Sequence, residues 1–181
     1  MHERFAVIDI ETTGLSPARD SVVEIACVTV DEGAVVGRWS TLVRPKGPIP
    51  AFATAIHGID DAMVRDAPSL AVAIAALQRF ARGYVFAAHN AVFDFGFLGL
   101  RPRNGICTMR LARFVAPEAP NHKNQTLRIY FRIDRRLQEE VLPHRALGDA
   151  LVTAHVLLAC RRRCEQRQIP WHKALHTARV A

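Results

Sequence analysis

Apolar stretches separated by short polar breaks run along most of the chain, and their spacing predicts its elements. Arg4 to Ile10 reads as a strand, with Phe5 to Ile10 apolar and β-branched enough to be buried. Two further strands, Ser21 to Val30 and Ala34 to Val43, are joined by Asp31-Glu32-Gly33, a tight-turn signal that predicts a hairpin. Arg44 to Pro50 is a proline-rich loop, too short to link domains. Pro68 to Arg82 carries Leu70, Ile74, Leu77 and Phe80 at helical spacing, and Gly83 closes it. Tyr84 to Ala88 predicts a short buried strand and Ala91 to Leu100 a second helix. Thr108 to Val115, Asn124 to Phe131 and Ala146 to about Arg167 predict three more helices, the last one long. A hairpin-led sheet followed by alternating helix and strand is an α/β arrangement, a sheet with helices on its faces. The boundaries expected are one domain over residues 3–167 and a short basic tail over 168–181.

Three places break this pattern. Asp9 interrupts the first apolar strand and Glu11 follows two positions later. Side chains alternate across a strand, so the two acids share one face while Ile8 and Ile10 take the other. Asp94 is the only charged residue in a helix that is apolar nearly all round, with Val92, Phe93, Phe95, Phe97 and Leu98 beside it. Such a helix is expected to be buried, and its acid with it. Asp149 lies in the pattern Leu147, Ala150, Leu151, Ala154, Leu158, and Pro143 upstream puts His144 in the loop or first turn. Five residues turn ~140° around a helix axis, so His144 reaches a shared site from the rim and does not stack on Asp149.

Charge and length narrow the possibilities. The chain has 181 residues and a formal net charge of +7, which favours a polyanionic partner such as nucleic acid. No apolar run is long enough to span a bilayer, and Met1-His2-Glu3-Arg4 lacks a signal-peptide pattern, so a cytoplasmic protein is expected. Cys27, Cys107, Cys160 and Cys164 lie in apolar or helical context and read as reduced thiols. Cys160, Cys164, His172 and His176 could suggest zinc, but their gap is short for a finger and a solvated basic tail is the preferred reading.

Four acids from three separate elements, each in apolar surroundings, make sense together if they surround cations. Mg²⁺ and Mn²⁺ prefer oxygen ligands and keep waters that a phosphate can displace. Two such ions ~3.5–4 Å apart activate a water and stabilise the leaving oxygen of a phosphodiester. A histidine on the rim can take the water's proton, because its pKa lies near neutrality.

With order and spacing in view, IDIETTGL (Ile8 to Leu15), HNAVFDFGFL (His89 to Leu98) and HRALGDA (His144 to Ala150) resemble the three motifs of the DEDDh group of 3′–5′ exonucleases. That group includes the proofreading subunits of bacterial replicative polymerases. The resemblance covers Arg4 to Leu158, and Asp9, Glu11, Asp94, His144 and Asp149 fall on its five catalytic positions. It implies a ribonuclease-H-like fold, a five-stranded mixed β-sheet flanked by α-helices. It also implies two Mg²⁺ or Mn²⁺ ions held by Asp9, Glu11, Asp94 and Asp149. In relatives the backbone matching Thr12, Thr13, Gly14 and Leu15 contacts the last nucleotide, and the stretch matching Ile56 and His57 lines its site. Phe93 either stacks on a base or belongs to the core; Asn90, ahead of the same helix, is a candidate N-cap and substrate contact.

The expected activity is metal-dependent removal of nucleotides from a free 3′ end of DNA, releasing 5′-mononucleotides, in repair or proofreading. A 3′–5′ exoribonuclease is the alternative, and a nucleic-acid-binding module without activity is the reading from another class. The segment EQRQIPWHKALHTARVA has no clear clamp- or polymerase-binding sequence, so a free-standing nuclease is expected over a replicative subunit.

Overall fold

The computed structural model describes residues 4–135 and 144–180. Pro143 and the segment Met1 to Glu3, both used in the reading above, lie outside the described residues. Strand β1 (Phe5–Thr12) sits inside the sheet because its first half is apolar on both faces. Phe5 and Val7 pack on one side, with Ala26 and Val28, and Ala6, Ile8 and Ile10 on the other, with Ile25 and Cys27. Strands β2 (Val22–Asp31) and β3 (Ala34–Leu42) form the expected hairpin. Its turn residues Glu32 and Gly33 have φ of 49° and 81°, the double positive value that suits a twisted two-residue turn.

Three helices follow: α1 (Ala51–His57), α2 (Asp61–Val64) and α3 (Leu70–Phe80). Next come β4 (Val85–Ala88), α4 (Ala91–Leu98), β5 (Gly105–Cys107), α5 (Thr108–Val115) and α6 (Asn124–Tyr130). The last described elements are α7 (Ala146–Gln166), α8 (Trp171–Ala178) and β6 (Arg179–Val180). The sheet order is β3-β2-β1-β4-β5-β6, with β1, β4 and β5 parallel and the other pairings antiparallel. The small residues Ala146, Gly148, Ala150 and Ala154 let α7 lie close to the sheet, joined on that face by α5, α6 and α8. Helices α3 and α4 cover the opposite face. This is the mixed, helix-flanked sheet that the sequence implied, with one strand more than expected.

The additional strand comes from the expected tail. Residues 171–180 form α8 and β6; Val180 pairs with Gly105, while Ala174, Leu175 and Ala178 are buried against the α7 layer. Their apolar spacing was concealed by the surrounding Lys173, His172, His176 and Arg179, which suggested a solvated segment. Cys160 and Cys164 are buried thiols of α7. Asn90 stands at the N-cap of α4, but its side chain makes no capping hydrogen bond. Among the described residues no helix is long and apolar enough to cross a membrane.

Candidate active site

β1 and α7 bring the first three acids together. Asp9 and Glu11 project from β1 toward α7, on the face that Phe5 and Val7 occupy lower down. Asp149, fourth residue of α7, meets them there: Asp9, Glu11 and Asp149 each offer a carboxylate oxygen, all within 4.8 Å of one another. Asp94, fourth residue of α4, is 5 % exposed and takes backbone hydrogen bonds from Ile10 and its own amide. Its charge acts on Asp9, so the four acids form one electrostatic group.

Their surroundings oppose ionisation. Burial, then the charges of Asp94, Asp149, Glu11 and Glu24, push Asp9 well above the ordinary carboxylate range. Burial and the neighbouring acids raise Glu11 to about 8, against a smaller opposing pull from Arg145. Burial raises Asp94 to about 7 and moves Asp149 upward as well, offset in part by His144 and a hydrogen bond from Gln125. A donor set made only of oxygens, crowded and short of cations, suits a hard divalent metal ion. Asp9, Glu11 and Asp149 are within reach of one ion, and Asp94 stands beside them.

A cavity of about 360 Å³ opens over Asp9, Asp94 and Asp149. His144 lies on its rim, exposed, with a left-handed backbone at φ 61°, and donates its own amide to Asp149 Oδ2 at 3.2 Å. The other oxygen, Oδ1, accepts from the Gln125 side chain at 2.8 Å. Asn90 and Phe93 line the same cavity. So do Lys123, Asn124, Gln125 and Thr126, which the sequence reading did not single out. Their segment is tied down by His89, whose Nε2 donates to the His122 carbonyl at 2.8 Å while Nδ1 accepts from the Thr108 hydroxyl at 3.0 Å. The carbonyl can only accept, which fixes the tautomer.

A second cavity, of about 430 Å³, adjoins the first across Ile10 and Phe93. Glu11, Thr12, Gly14, Leu15, Ile56 and His57 line it, together with Phe52, which has no counterpart among the expected contacts. Leu15 is 84 % exposed at the tip of a braced loop. Asp20 accepts from the Ser16 amide there, and its carboxylate lies 2.5 Å from where a Cβ on Gly14 would stand, so a larger residue would have to displace it. His57 is 3 % exposed; Nδ1 accepts from the Ile59 amide at 3.1 Å, and Nε2 closes no hydrogen bond although the Thr12 carbonyl lies nearby. Thr13 is buried and pairs with Ser21, accepting from the Ser21 amide and donating its own amide to the Ser21 carbonyl. Phe93 packs on Phe97 with centroids 4.9 Å apart and lines both cavities.

Fold and acid cluster together define a class, an α/β domain whose sheet presents a carboxylate site of the kind that holds divalent metal. The profile of the family described as Exonuclease (RNase_T) matches residues 6–157. A DNA polymerase III PolC-type protein of Caldanaerobacter subterraneus subsp. tengcongensis is 37% identical over 162 residues, 85% of this chain and 11% of that protein. A DNA polymerase III subunit epsilon-like protein of Rhodobacter capsulatus is 41% identical over 165 residues, 85% of this chain and 23% of that one. The chain therefore spans only a fraction of the length of these relatives. Among solved structures, exonuclease X in complex with 5′ overhanging duplex DNA superposes with a TM-score of 0.77 at 34% identity, covering 96% of this chain and 98% of that one. The chain belongs to the exonuclease family.

Proposed function

We propose that the protein hydrolyses phosphodiester bonds stepwise from the 3′ end of DNA and releases 5′-mononucleotides. Asp9, Glu11, Asp94 and Asp149 hold two Mg²⁺ or Mn²⁺ ions in this reading. When bound, the ions polarise the attacking water and neutralise charge at the leaving oxygen. His144 accepts the water's proton from the rim. Leu15, Phe52, Ile56 and His57 hold the terminal nucleotide, and Phe93 stands between that nucleotide and the acids. What carries the reading is the convergence of Asp9, Glu11 and Asp149 within 4.8 Å, with Asp94 and His144 on the same cavity.

The test offers 5′-labelled single-stranded DNA and matched RNA with Mg²⁺. DNA is expected to shorten stepwise from its 3′ end and faster than RNA, with EDTA stopping the reaction and Mn²⁺ restoring it. A 3′-phosphate end is expected to slow it. Cleavage of a closed circular strand would contradict the exonuclease reading, and faster loss of RNA would make the protein an exoribonuclease.

A further inference from the structure

We propose that Glu24 is a positioning residue for the acidic site: from β2 it clamps Arg145 and caps α7, and so sets where Asp149 and His144 stand over Asp9 and Glu11. The inference rests on the nuclease reading above and deepens it.

Glu24 is an unusual residue for its place. It is 4 % exposed on β2 and directly opposite Glu11 on β1, in register. Two carboxylates facing each other across adjacent strands repel, and a buried one needs partners. Glu24 has three. Arg145 Nε and Nη2 donate to its Oε2 and Oε1 at 3.1 and 2.6 Å, and the Ala146 amide donates to Oε2 at 2.9 Å. With both oxygens committed, Glu24 is a support and not a further ligand.

The bonds fall where the site is assembled. Arg145 is the N-cap of α7 but makes no side-chain capping bond, so Glu24, far away in sequence, satisfies the first helical amide in its place. The Arg145 carbonyl accepts the Asp149 amide at 3.1 Å. His144 immediately precedes, in a left-handed backbone that a non-glycine residue keeps only where its surroundings impose it. Rotation at the Arg145–Ala146 junction would therefore move Asp149 and His144 together. The pair also keeps the Arg145 guanidinium near Glu11, whose ionised form it favours. Glu24 adds its own charge to the repulsion in the site, and the cation it holds there offsets part of it.

The experiment uses the full chain and reads three things: Mn²⁺ affinity by calorimetry without nucleic acid, kcat and KM on a single-stranded DNA, and folding by circular dichroism. Glu24→Gln keeps an acceptor for the Ala146 amide but loses the charged fork. It is expected to stay folded while Mn²⁺ affinity and kcat each fall ~10–100-fold, the usual cost of removing a support behind a metal ligand, with KM little changed. Arg145→Lys, at a half-buried side chain, attacks the same clamp from the other end and is expected to shift both readouts in the same direction. If Glu24→Gln does not fold, Arg145→Lys decides. A folded variant with wild-type Mn²⁺ affinity and kcat overturns the proposal, even if its melting temperature is lower. A wild-type protein that binds Mn²⁺ without degrading DNA overturns the nuclease reading instead, and the Mn²⁺ comparison still judges Glu24.

Discussion

Asp94 and Asp149 occupy the same position, the fourth residue of a helix whose first turn meets the acid cluster, yet they are held in different ways. Asp94 is almost fully buried and bonded by backbone, its own amide and that of Ile10. Asp149 is half-buried and bonded by the Gln125 side chain and by the amide of His144, a residue on an exposed rim. One half of the site is pinned by the backbone of β1 and α4; the other is assembled from side chains and a loop that meet only when the chain is folded. Substitutions near Asp94 should therefore act through the ligands themselves, whereas substitutions around Asp149 can act through its supports.

The largest effect is expected in the rigid half. Asp9→Asn and Asp94→Asn should each abolish Mg²⁺-dependent hydrolysis while leaving a folded protein. Asp94→Asn should also raise the melting temperature of the metal-free protein at alkaline pH, because it removes a buried charge. Retained activity in either variant would remove its residue from the catalytic set.

On the assembled side, His144→Ala should lower kcat ~10²–10⁴-fold, the worth of a positioned general base, with Mn²⁺ affinity nearly unchanged. Metal binding lost in proportion to activity would make His144 a ligand or a support instead. Gln125→Ala should cost less, ~10–100-fold in Mn²⁺ affinity or kcat, because Asp149 keeps the His144 amide on its other oxygen. Equal losses for Gln125→Ala and Asp94→Asn would erase the distinction between the two halves.

The smallest effect is on stability. Glu11 at about 8 and Asp94 at about 7 lie above the ordinary 4.5 and 3.8, so the folded metal-free chain keeps protons that the unfolded chain releases. Its stability should accordingly fall as pH rises from about 4 through about 8. Melting curves in EDTA should shift downward over that range, and Mg²⁺ or Mn²⁺ should raise the melting temperature more at its alkaline end. A metal-free melting temperature that climbs with pH would contradict the picture of carboxylates crowded without a cation.

The same contrast explains what the sequence disclosed. Asp9, Glu11, Asp94 and Asp149 were legible because each is a charge in an apolar pattern, and burial makes such a charge conspicuous. Gln125 was not, because a polar residue in a polar setting gives no sign of a partner far along the chain; Glu24 is likewise a charge in an apolar strand, but its partner Arg145 lies far along the chain and nothing local names it. Helix α1 is flanked by Pro50 and by Gly58 at φ 72°, and α2 is capped by the Asp60 side chain, but both are too short for an apolar period to stand out. Strands β5 and β6 are shorter still, and only pairing with their neighbours defines them.

The buried His89 ring has a spectroscopic consequence. Its Nε2–H is held by the His122 carbonyl and screened from solvent, and burial keeps the ring's pKa down at about 4. In a nitrogen-15 NMR spectrum at neutral pH, that proton should give a sharp, slowly exchanging ring signal that neither broadens nor shifts across the working range. Because the bond reaches the carbonyl directly ahead of Lys123, Asn124 and Gln125, one resonance reports whether the strip of chain beside the acids is seated.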